Sequence, residues 1–195
     1  MRLGSMQFWL CASGAFLLQA GAQTTNAPAQ KPSRRHANEM TLARLRPGRD
    51  TVQQAAALYK KPSLVAEDQR QYEWDDVCRD LILEIESANS GEISTIRVMN
   101  GKRTMADCFK TMPRTKWRTS RDIAPDDPEP KVLEVYGEPT SRSPSTKNGQ
   151  PLELLYYAFD WAGPDVPQVM EVVCTVPKNG TPGRVVEITL AAGSL

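Results

Sequence analysis

The one histidine of this 195-residue chain is His36. It stands in "QTTNAPAQKPSRRHAN", a polar, proline-bearing stretch with too little to bury to offset the entropy of ordering it. Ser-His-Asp and Cys-His catalysis both need an imidazole held in place, so neither is expected. The four cysteines are Cys11, Cys78, Cys108 and Cys174, and no two have the spacing of zinc ligands. Paired carboxylates occur at Asp75-Asp76 and Asp126-Asp127. Such pairs could bind calcium or move protons, but both fall at element ends, where capping and solvation account for them. No Walker or dinucleotide glycine pattern is present. The residues predict a non-catalytic chain with no cofactor and no metal.

The start of the chain supplies an address. "MRLGSMQFWLCASGAFLLQAGAQ" carries Arg2, an apolar run from Phe8 to Leu18, and then Ala20-Gly21-Ala22. A charged start, a short apolar run and a small-x-small end are the marks of a secretory signal peptide, cut here after Ala22. The run is shorter than the roughly 20 apolar residues needed to span a bilayer. Cleavage would leave 23 of the 24 basic residues against 23 acidic ones, and three of the four cysteines. A balanced chain lacks the broad positive field of a nucleic-acid binder. The expected product is a periplasmic or secreted protein of the bacterial envelope.

Three blocks recur in the same order along the chain. "QAAALYKKPS" (Gln54 to Ser63) returns as "KVLEVYGEPT" (Lys131 to Thr140), Tyr72 to Asp75 as Tyr157 to Asp160, and Gly91 to Val98 as Gly183 to Leu190. Their offsets of 77, 85 and 92 residues grow steadily, as loop insertions would produce. The first block reads as a helix end. Asp50 or Thr51 offers an N-cap, Val52, Ala55, Ala56 and Leu58 to Tyr59 recur at helical spacing, and Pro62 stops the helix. In the second copy Asp126 or Asp127 caps, Val132, Leu133, Val135 and Tyr136 form the stripe, and Gly137 with Pro139 ends it.

Strands follow. Leu81, Leu83 and Ile85 alternate with Ile82, Glu84 and Glu86; Met170, Val172, Cys174 and Val176 alternate with Val169, Glu171, Val173 and Thr175. Two later strands place Ile93, Thr95 and Arg97, and Val185, Glu187 and Thr189, opposite the core side. The predicted fold is α+β: two tandem repeats, each a helix plus a three-stranded antiparallel meander, with the helices packed on one sheet face. The expected divisions are a signal peptide at 1–22, a disordered tether at 23–38, a first repeat at 39–99, a connector at 100–124 and a second repeat at 125–195. A short helix from Met105 to Phe109 is expected within the connector.

Cys174 shares a face with Met170 and Val172 and reads as a small buried hydrophobe, leaving Cys78 and Cys108 as the expected disulfide. The connector run "RTKWRTSR" could meet phosphate groups of a lipid surface through Arg114, Lys116 and Arg118, with Trp117 at the interface. A solvated basic loop accounts for the same run.

"LRPGRDT" (Leu45 to Thr51), "YKKP" (Tyr59 to Pro62), Tyr72-x-Trp74 and Gly91-x-Ile93-x-x-Ile96 together resemble the SmpA/OmlA (BamE-like) family. Two such units in tandem look like the architecture of the beta-lactamase inhibitory protein. The chain lacks a lipobox and the disulfide that the inhibitor carries within each repeat. What the resemblance implies is a mode of action, in which an uncovered sheet face binds another protein. That free face is expected to include Ile82, Glu84, Ile93, Arg97, Tyr156, Val169, Glu171, Val173 and Val185, with Trp161 in the adjacent loop. Tyr and Trp are the usual anchors of such interfaces. The expected function is therefore that of an envelope protein of the outer-membrane assembly or integrity type. The alternatives are an inhibitor of a secreted hydrolase, such as a beta-lactamase or protease, and a lipid or cell-wall ligand-binding domain with a closed apolar pocket.

Overall fold

The computed structural model describes residues 38–101, 117–159 and 168–192. Two helices, α1 (Val52–Tyr59) and α2 (Glu129–Tyr136), are each followed by four strands. Those after α1 are β1 (Leu64–Val65), β2 (Gln71–Asp76), β3 (Leu81–Ser87) and β4 (Ile93–Asn100). Those after α2 are β5 (Ser141–Lys147), β6 (Gln150–Ala158), β7 (Gln168–Thr175) and β8 (Val185–Ala192). The expectation of two helix-plus-three-strand repeats is corrected here: all eight strands form one antiparallel sheet in the order β1-β2-β3-β4-β8-β7-β6-β5. The two meanders merge because β4 and β8 pair directly, from Thr95 opposite Ala191 to Met99 opposite Glu187. That pairing removes two exposed edges at the centre of the sheet.

The strands missing from the sequence reading have physical excuses. β1 is only two residues long. β5, "SRSPSTK", is an edge strand with almost every side chain exposed, so no buried face imposes an apolar alternation. Pro144 is tolerated there because an edge strand leaves one row of backbone donors unpaired. On the core side of β5 stands Arg142, which bonds Glu129 Oε1 on α2 at 2.9 Å and Glu153 on β6 at 3.2 Å. The β5–β6 turn is Asn148-Gly149 with φ of 53° and 74°, the positive pair that a two-residue hairpin turn demands.

Each helix is short and is held by its ends. Thr51 caps α1 through a capping box: Gln54 N donates to Thr51 Oγ1 at 3.4 Å and Thr51 N to Gln54 Oε1 at 2.7 Å. Asp126 and Asp127 do not cap α2, whose N-cap is Pro128. Asp127 Oδ2 instead accepts Ala124 N and Lys131 Nζ, both at 2.9 Å. The helix exits are pinned to the sheet. Trp74 Nε1 of β2 donates to Lys60 O at 3.1 Å, and Tyr157 OH of β6 to Gly137 O at 3.1 Å. These bonds satisfy carbonyls that a helix end leaves free. Tyr59 then packs edge-on against Trp74, and Tyr136 packs tilted against Tyr157.

One buried cluster lies between the helices and a single face of the sheet. Leu83, Ile85, Ile96, Val98, Met170, Val172, Ile188 and Leu190 supply its floor, each with no exposed area. Leu42, Leu45 and Ile123 complete the roof along with the helices. Trp117 belongs there too. It is buried, and its ring meets Tyr59 edge-on at 5.9 Å, which removes it from any lipid interface. The reason is that the chain re-enters the core at this point, with Ala43 N donating to Arg118 O at 3.0 Å. Arg118 is paired with Asp122, while Arg114 and Lys116 lie outside the described residues, as do the expected signal peptide, most of the expected tether and the expected Met105 to Phe109 helix. No described helix is long and apolar enough to cross a membrane.

Candidate functional site

The second face of the sheet is built by the residues that alternate with this core. One row runs across seven strands: Glu73, Glu84, Arg97, Thr189, Glu171, Tyr156 and Ser141. The next row holds Asp75, Ile82, Met99, Glu187, Val173, Leu154 and Ser143. On the other side Val169 pairs with both Ala158 and Ala191. The structure thus brings Ile82, Glu84, Arg97, Tyr156, Val169, Glu171 and Val173 onto one surface. Trp161 lies outside the described residues.

Ile93 and Val185 do not belong to this surface. Both are fully buried on the core side. Glu86 pairs with Thr95 and Ser87 with Ile93, so Ser94 is an extra residue; Val173 pairs with Glu187 and Cys174 with Val185, so Val186 is another. A β-bulge of this kind breaks the two-residue period. Side chains beyond it land on the face opposite to the one that simple alternation assigns.

A ladder of charges crosses the middle of the face. Arg97 bonds Glu84 on β3, and its Nε reaches Glu187 Oε1 at 3.2 Å and Thr189 Oγ1 at 3.3 Å. Lys147 Nζ takes the other Glu187 oxygen at 2.6 Å and lies 3.8 Å from Met99 Sδ. β5 and β8 are separated by two strands, a distance of roughly 14 Å in a flat sheet. A lysine at the edge cannot cover that span, so the sheet curls and carries the β5–β6 hairpin end over the face. Lys147, Glu187 and Thr189 were absent from the sequence reading of the site, although Asn148-Gly149 is a strong hairpin signal that would have placed Lys147 at a strand end.

Carboxylates outnumber cations here. Glu73 stands directly across from Glu84, a like-charged pairing that is unfavourable in a sheet. Burial, followed by the charges of Asp75 and Glu84, pushes the Glu73 carboxyl above its usual range. A depression of about 440 Å³ opens at this end, lined in part by Leu64, Glu73, Asp75, Val77 and Ile82.

The remaining candidates resolve simply. Cys174 is a free thiol, fully buried, and burial pushes it up to about 12. A thiol so placed is not a thiolate nucleophile near neutral pH. Cys78 is disulfide-bonded; its expected partner Cys108 lies outside the described residues, as does His36. Asp76 pairs with Arg79 at 2.7 Å. Among the described residues no group of three or more His, Cys, Asp or Glu side chains could hold a metal ion.

No family model matches the chain, and no curated protein does. Among solved structures it is similar to a DUF4309 family protein (YjgB) from Bacillus subtilis, at 14% identity and a TM-score of 0.46, over 80% of this chain and 88% of that one.

Proposed function

We propose that the chain is an exported, non-catalytic module that binds another protein through the second face of its sheet, in the manner implied by the SmpA/OmlA resemblance. The observation carrying this reading is the composition of that face. Tyr156, Val169, Val173 and Ile82 stand half-buried among fixed charges. Apolar and aromatic groups ringed by polar ones are the makeup of a protein interface. The cluster between helices and sheet is filled by side chains, which favours an open face over the enclosed apolar pocket that a lipid ligand would use.

The test is photo-crosslinking in envelope extract from a reactive amino acid placed at Tyr156 or Val173, with Leu58 on α1 as a helix-side control of 41% exposure. Adducts of one protein from both face positions, and none from Leu58, are expected. The identity of that protein separates an assembly factor from a hydrolase target. Adducts from Leu58 alone, or from none of the three, would defeat the reading.

A further inference from the structure

Resting on that reading of the face, we infer that the partner presents a lysine- or arginine-bearing protein segment, one cationic side chain of which seats beside Val169 and Ala191, between Glu86 and Glu171. Strand register places six carboxylates on this face: Glu73, Asp75, Glu84, Glu86, Glu171 and Glu187. Among the described residues the cations that form ion pairs with them are Arg97 and Lys147, both engaged by Glu84 or Glu187. Glu73, Asp75, Glu86 and Glu171 are left without an ion-pair partner among the described residues. The whole chain is close to charge balance, so the excess is local to the surface proposed to bind.

The depression at this place has a volume of about 110 Å³ and is lined by Glu86, Thr95, Arg97, Val169, Glu171, Thr189 and Ala191. Val169 and Ala191 beside the Glu86 and Glu171 carboxylates suit a side chain with a methylene stem and a charged head. Arg97 cannot serve as that head, because its guanidinium is turned to Glu84 and Glu187. An apolar or anionic occupant would desolvate the carboxylates without pairing them, at a heavy cost. A cationic partner satisfies them, and the complementary potential selects and steers it.

The probe is a hexalysine peptide titrated into the intact, isotopically labelled protein, with the fully acetylated peptide as control. Hexalysine is expected to shift the amide resonances of Thr95, Val169 and Ala191, and the acetylated form to leave them unmoved. Affinity should fall about tenfold in the double variant Glu86→Gln, Glu171→Gln, and fall in the parent as salt is raised. Binding by the double variant within twofold of the parent, or shifts confined to other residues, would overturn the inference. Circular dichroism establishes that the double variant is folded. The crosslinking experiment separates the two failures. Adducts from Tyr156 and Val173 whose yield the double variant leaves unchanged would preserve the binding face and overturn the cationic seat. Loss of those adducts in the parent itself would overturn both.

Discussion

The two faces of the sheet share every strand and every backbone hydrogen bond, yet they differ in almost everything else. Ile96, Val98, Ile188 and Leu190 bury completely on one side of β4 and β8. Arg97 and Thr189, one residue away, stand at the centre of a charged ladder on the other. Burial of the aliphatic face stabilises by about 1.5–3 kcal/mol per large side chain. The ladder holds side chains in place but adds little, since partly exposed ion pairs contribute about 0–1 kcal/mol. Parity along a strand therefore divides the labour: one set of positions makes the fold, and the alternate set is free to vary for recognition.

The bulge at Val186, near the start of β8, gives the sharpest way to break this comparison. Simple alternation puts Val186 in the core and Val185 outside, whereas the register puts Val185 in the core. Val185→Asp should cost more than about 4 kcal/mol or prevent folding, because it buries a charge with no partner. Val186→Asp should stay within about 1 kcal/mol of the parent. Urea unfolding of both variants decides it, and the opposite ranking would mean that the strand is in the other register.

How much of this was legible in the sequence follows the same physics. Strands with one buried face, β3 and β7, announced themselves through alternation, and so did the apolar stripes of both helices. The bulges at Ser94 and Val186 did not, because an inserted residue is a property of pairing between strands and leaves no local mark. β5 was hidden because its core-side positions are Arg142, Pro144 and Thr146, of which Arg142 serves through Glu129 on α2 and not through apolar burial. Of the face, Ile82, Glu84, Arg97, Val169, Glu171 and Val173 could be read from parity alone, whereas Tyr156 lies on a strand whose alternation was not read. Lys147 could not, because only the curl of the sheet brings it to Glu187.

A smaller effect is expected within the core itself. Ile188→Ala should cost about 2–5 kcal/mol by leaving a cavity under the seam. Thr189→Ala, its neighbour on the open face, should cost about 1 kcal/mol or less through loss of one bond to Arg97. Equal losses in chemical denaturation would erase the division between the faces.

Polar networks allow a like-for-like comparison. On the core side, Tyr136 OH donates to Glu39 Oε2 at 2.5 Å and lies 2.8 Å from Thr119 Oγ1. Glu39 is fully buried, and its other oxygen accepts Met40 N at 2.9 Å and Thr41 N at 3.0 Å. Tyr136→Phe strips a donor from a buried carboxylate and should cost about 1–3 kcal/mol. Arg97→Gln on the open face leaves Glu84 and Glu187 able to reach water, and should cost about 1 kcal/mol. A larger loss at Arg97 would show that the ladder is part of the fold and not only of the surface.

The smallest expected effect comes from Glu73, whose pKa is raised in the folded protein by burial and by Asp75 and Glu84. A raised carboxylate pKa means that the folded state binds its proton more tightly than the unfolded chain does. Stability therefore falls as pH rises through the window between the unfolded and the folded pKa, and the penalty is fully present above it. Glu73→Gln should stabilise the protein by a few tenths of a kcal/mol at neutral pH, a gain held small by solvent screening. Below the unfolded carboxylate range the gain should vanish, because Glu73 is protonated in both states. Thermal melts of parent and variant at neutral and acidic pH read the difference. A gain that persists in acid would assign the effect to packing instead of charge, and no gain at neutral pH would mean that the like-charged pair with Glu84 carries no cost. The expected outcome marks a surface that gives up a little stability to keep carboxylates facing outward, which is the sign a cationic partner would reverse on binding.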